Sequence, residues 1–180
     1  MNKFTLKNQE IILPVVVIVF GTLMRLVPHM PNFAPVAAIA IFGGLYLNKK
    51  YALLIPIVIM LISDYFLGFH DTMLFVYASI LIAGLLGMWA KREKSFSRLL
   101  MITLLSSVLF FVITNAGVWL MGDIYPKNGG GLIEAFVMAI PFFRNTIMGD
   151  LLYTMTFILM YEFMKYFLQR RAMAVSRRSK

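Results

Sequence analysis

Seven ionisable side chains, Arg25, His29, Asp64, His70, Asp71, Arg144 and Asp150, lie in or beside long apolar runs of this 180-residue chain. Charges are costly in such surroundings and mark a site that binds or moves a polar species. Asn115 and Trp119 are four residues apart and share one helical face, which Gly122 extends. An amide supplies donors and an acceptor, and an indole a flat apolar surface with one donor, a pairing suited to a polar, ring-containing ligand. Arg144, Asn145 and Thr146 open the last apolar run, and Asp150 follows with Thr146 and Thr154 on its own face. Arg144 and Asp150, six residues apart, need not touch, but either can pair across the bundle with Asp64 or Arg25.

Each group also has a plainer reading. Asp64 can cap the end of one helix and Asp71 the start of the next, where Asp71-Thr72 suits an N-cap. Trp119 can sit in an aromatic belt, Asn115 can bond a neighbouring helix, and the Arg and Asp residues can form structural ion pairs. The two histidines and nearby carboxylates follow no recognisable metal-ligand spacing, and the chain contains no Cys. No His-Glu-x-x-His, phosphate-loop or Gly-x-Ser-x-Gly pattern occurs. The reading is a non-enzyme with no metal and no cofactor.

These residues must be held by membrane-spanning helices. Apolar residues make up 61% of the chain, charged residues 14%, and the mean hydropathy is +0.82, beyond what a soluble core of this length needs. With about 20 residues per crossing, spans are predicted at 11–26, 34–47, 51–67, 73–90, 99–122 and 145–168. The second is short, bounded by Pro31 and Pro35 before it and Asn48-Lys49-Lys50 after it, which predicts a tilted, re-entrant or shielded segment. The connection 123–144 carries Gly129-Gly130-Gly131 as a hinge before a short interfacial helix or lid at 132–143. The expected fold is all-α, a polytopic six-helix bundle in a single domain spanning 1–180.

Alternation of six spans puts 14 of the 17 Lys and Arg residues on one face, leaving Arg25, Lys127 and Arg144 on the other. The positive-inside rule assigns the basic face to the cytoplasm, so both termini are expected there, ending in a basic tail at 169–180. The net charge of +9 is thus a topology signal and not a nucleic-acid footprint. The N-terminal segment reads as a retained helix and not a cleaved signal. Ala34, Ala38, Ala40 and Gly44 give the second span small-xxx-small spacing, expected either as an interface for a partner or as tight packing in the bundle.

The stretches 31–44 (PNFAPVAAIAIFGG) and 62–68 (ISDYFLG), with Lys49-Lys50 between them, resemble the membrane-embedded S components of energy-coupling factor vitamin transporters. With His70-Asp71, Thr114-Asn115, 139–143 (AIPFF) and Gly149-Asp150 added, the chain is most similar to an uncharacterised bacterial membrane family related to them. The resemblance implies a six-helix binder of a small, vitamin-like solute in the inner (plasma) membrane, opening outward. It also implies docking on a transmembrane coupling subunit with ATPases, through an Ala-x-x-x-Ala surface usually found on the first helix. Here that helix has no Ala, and the nearest match is Ala34 and Ala38.

The expected mechanism has solute held by Arg25, His29, Asn32, Asp64, His70, Asp71, Asn115, Trp119, Arg144, Asn145 and Asp150, under loops at 29–32 and 129–143. Its two arginines favour an anionic or zwitterionic solute, offset by Asp64, Asp71 and Asp150. The rival is a structural scaffold resembling the cell-shape factor of similar architecture, in which the Ala/Gly face recruits wall-building partners.

Overall fold

In a computed structural model, residues 3–178 are described and form seven α-helices. They are α1 (Lys3–Leu26), α2 (Val36–Tyr46), α3 (Lys49–Leu67), α4 (Met73–Ala90), α5 (Phe96–Met121), α6 (Gly129–Met138) and α7 (Ile140–Arg178). Of the expected tail at 169–180, residues 169–178 continue α7, and the side chains of Lys3, Lys7 and the basic residues from Arg171 onward lie outside the described residues.

Among the described residues four helices, α3, α4, α5 and the Ile140–Phe167 part of α7, are long and apolar enough to cross a membrane. Large apolar side chains such as Leu74, Leu159, Phe163 and Phe96 project outward from these helices. In water that surface would aggregate, whereas lipid solvates it. The chain is an all-α, multi-pass membrane protein.

The six-span expectation changes at α2. Its 11 residues reach only about 16 Å, half the thickness of a bilayer's apolar core. Pro35 sets where this helix starts, Leu47 turns extended, and Asn48 caps α3 by accepting from the Tyr51 amide. Only Phe42 and Tyr46 of α2 escape full burial. The segment is the bundle's central post, shielded on all sides by α1, α3, α4 and α7.

Small residues make this possible. Gly44 lies against the backbone of Gly84, Gly87 and Met88, and Gly87 against that of Ile41, so α2 and α4 touch main chain to main chain. Ala38 and Ala40, also fully buried, line the same helix. Ala38, Ala40 and Gly44, expected either as a partner interface or as tight packing in the bundle, are enclosed by the chain's own helices, and Ala34 borders a cavity. A close backbone approach requires small residues whether the facing helix is foreign or not, which is why spacing alone left both readings open.

The connection at 123–144 is corrected too. Gly129-Gly130-Gly131 is the first turn of α6, not a hinge, because Asn128 accepts from the Gly131 amide and Gly131 packs on the Pro126 carbonyl. The predicted lid at 132–143 is broken at Ala139, and α7 begins with Pro141 in its first turn.

At the end carrying Lys49, Lys50 and Lys91, hydrogen bonds and a cation–ring contact tie the segments together. Tyr46 donates to Glu162 Oε1 at 2.8 Å, Lys91 donates to the Leu47 carbonyl at 3.0 Å beyond the C-terminus of α2, and Lys94 sits 3.7 Å over the Tyr46 ring. Partial burial there pulls the Lys94 amine below the ordinary lysine pKa.

Candidate functional site

The opposite end of the bundle is hollow. Two cavities of about 390 and about 360 Å³ adjoin there, both bordered by Pro31, Asn32, Val76, Phe110 and Thr146. Each is the size of a small-solute pocket. The first lobe adds Arg25, His29, His70 and Asp150, and the second adds Thr114, Asn115, Phe111, Tyr125 and Phe142.

The 27–35 segment forms one wall. Asn32 has φ 61°, the left-handed region that Asn tolerates better than most residues. His29 Nδ1 bonds the Val27 carbonyl at 2.7 Å, and Asn145 Nδ2 donates to the Pro31 carbonyl at 3.1 Å, pinning the segment to α7. Replacing Asn32 with Val is expected to cost about 1–2 kcal/mol, whereas Gly should stay within about 0.5 kcal/mol of the parent. Comparing the thermal stability of the two variants in detergent checks this.

Charge is arranged unevenly around the first lobe. Arg25 Nη1 lies 2.8 Å from Asp64 Oδ1 and also bonds Ser63, while Tyr77 donates to Asp64 Oδ2 at 2.8 Å. Asp64 is only 1% exposed, behind the wall and not on it. Asp150, 3% exposed, borders the lobe and is bonded to Ser107 at 2.7 Å, with no ion-pair partner among the described residues. One turn along the same face, the fully buried Thr154 hydroxyl has no hydrogen-bond partner among the described residues. No group of three or more His, Cys, Asp or Glu gathers as a metal site among the described residues.

Of the expected site residues, the structure brings Arg25, His29, Asn32, His70, Asn115 and Asp150 to the two lobes. Asn145 acts from behind through Pro31, and Asp64 through Arg25. Asp71 and Arg144 are exposed and border neither lobe. Trp119 also borders neither: its indole donates to the Pro126 carbonyl at 2.9 Å. Beside it Lys127 caps α5 by donating to the carbonyls of Trp119, Leu120 and Gly122. The chain belongs to DUF6580, a family of unknown function. That family matches residues 5–174, so it takes in both lobes and reaches into every helix of this DUF6580 member. Neither the curated proteins nor the solved structures contain a match to the chain.

Sequence reasoning passes over Val76, Phe110 and Tyr77. Apolar and aromatic wall residues carry no local signal separating them from lipid-facing ones. Ser107 has a faint one, a hydroxyl one helical turn from Thr103 inside an apolar run.

Proposed function

We propose that this protein binds a small organic solute in the two-lobed cavity and delivers it across the membrane, in the manner of the transporter S components that its sequence resembles. The observation that carries this reading is the cavity itself. It lies among apolar helices, has the volume of a vitamin-sized ligand, and is faced by polar groups from α1, α5 and α7 and from the connections at 27–35 and 68–72. The second lobe joins the rings of Phe110, Phe111 and Phe142 to the Asn115 amide, a setting for a flat, polar ring. The first lobe would take the solute's more polar end.

In this proposal the protein sits in a bacterial inner membrane, the cavity opens away from the cytoplasm and both termini lie inside, a reading that the Lys and Arg distribution supports. No chemical transformation is involved. A coupling subunit with ATPases would have to engage a surface other than the enclosed face of α2. The same enclosure weighs against the scaffold reading, which relied on that face for recruitment.

The test is thermal stability of the detergent-purified protein against vitamins, their precursors and nucleobases. A true ligand stabilises by RT ln(1 + [L]/Kd), saturating with concentration. Thr146 borders both lobes, so Thr146→Phe, which fills the junction, should abolish the shift. A hit that stabilises the filled variant equally well sinks the proposal.

A further inference from the structure

We infer that the solute carries a positively charged nitrogen group with N–H donors, held against Asp150; this rests on the cavity being a solute site. The argument begins with which charges remain once the bundle is assembled. Arg25 reaches the first lobe but is neutralised by Asp64, and Arg144 borders neither lobe. Asp150 is thereby the one carboxylate among the lining residues, with Ser107 as its hydrogen-bond partner. An unpaired carboxylate at membrane depth calls for a cation.

The neutral lining groups point the same way. Asn115 Nδ2 donates to the Phe111 carbonyl at 2.7 Å, which leaves its carbonyl oxygen as the amide's acceptor. Thr114 and Thr146 donate to the carbonyls of Phe110 and Phe142, at 2.7 and 3.0 Å, keeping only oxygen lone pairs for a ligand. His29 faces a carbonyl through Nδ1, so that nitrogen bears the proton and, in the neutral ring, Nε2 is an acceptor. The two threonine hydroxyls and one Asn115 N–H are thus turned onto the protein's own backbone, and each of these groups keeps an acceptor for a ligand. A solute rich in N–H groups, an amine or amidine attached to a ring, complements that lining, while a carboxylate or phosphate would meet lone pairs and Asp150.

A matched series on one ring tests this: phenethylamine, phenethyl alcohol and phenylacetate, each titrated against the thermal stability of the purified protein at constant ionic strength. The amine should stabilise at a concentration at least about tenfold lower than the alcohol, as a charge-assisted hydrogen bond implies. The acid should be weakest. Asp150→Asn, which keeps the shape, should erase the amine's advantage while leaving the alcohol's effect in place. Ser107→Ala serves as a second variant that keeps the carboxylate and should retain the preference for the amine. Preference for the acid, or an amine advantage that survives Asp150→Asn, overturns the inference while leaving a solute cavity intact. Stabilisation by Na⁺ alone that vanishes in Asp150→Asn overturns it in favour of an inorganic ion. No response to any of the three, together with no stabilising hit among the vitamins, precursors and nucleobases, removes the cavity reading and this inference with it.

Discussion

Arg25→Met is expected to destabilise the protein by about 3–5 kcal/mol, because it leaves the Asp64 carboxylate buried beside an apolar side chain. Asp64 is 1% exposed and receives Arg25 at 2.8 Å and Tyr77 at 2.8 Å, while Arg25 also bonds Ser63. Tyr77→Phe removes one of these donors and should cost about 1 kcal/mol. The informative comparison is the double variant that joins Arg25→Met to Asp64→Leu. Removing both charges together is often close to neutral, since neither ion then needs desolvation. Most of the loss should therefore return in the double variant, read as unfolding in detergent with increasing denaturant or heat. A double variant as unstable as the single would mean that the two side chains are needed for more than each other. If the single variant loses less than about 1 kcal/mol, water reaches Asp64 and the wall between pair and cavity is leakier than its burial implies.

The second large effect is expected at the crossing of α2 and α4. A Cβ on Gly44 would meet the Gly84 carbonyl oxygen, with the Met88 nitrogen at 2.6 Å and the Gly87 carbonyl carbon at 2.7 Å. One on Gly87 would meet the Ile41 carbonyl, its carbon at 3.0 Å. These are backbone atoms and cannot rotate away, so the helices must part. Gly44→Ala and Gly87→Ala should each cost about 1–3 kcal/mol or more, although alanine is the better helix former. Gly129→Ala is the control, because a Cβ there meets nothing within 4 Å. If Gly44→Ala is as stable as the control, the crossing is looser than described. Because α2 also carries Val36 and Ala37 into the first lobe, parting the helices should weaken solute binding as well.

Several boundaries are legible locally. The third and fourth spans, predicted at 51–67 and 73–90, are found as Lys49–Leu67 and Met73–Ala90, because Asn48, Gly68 and the 91–95 connection break the helical pattern within the sequence itself. The last helix extends beyond both predicted ends of its span. Pro141 suggests a break but stands in a first turn, where a proline lacks nothing, and the polar residues beyond 168 remain helical. The Gly129-Gly130-Gly131 run reads as flexible because glycine is permissive, whereas the Asn128 cap and the Pro126 carbonyl hold it helical.

The expected site divides along a physical line. Arg25, Asp150 and Asn115 on their helices, and both histidines in the connections beside them, reach the cavities because all lie toward the same end of the bundle, a depth that counting residues reveals. Trp119 and Arg144 share that depth but face elsewhere, and rotation about a helix axis among wholly apolar neighbours has no hydropathic signature.

What the sequence determined by itself is the solvent, the helical class and the end of the bundle where polar groups collect. All three follow from the cost of placing charge or unpaired backbone in lipid, which each segment meets on its own. Tertiary structure alone decided that Arg25 cancels Asp64, that Asp150 is left to face the cavity, and that the Ala/Gly stripe is enclosed. Pairing between charges falls off with distance across helices, and that distance is set by how closely backbones such as those at Gly44 and Gly87 can approach.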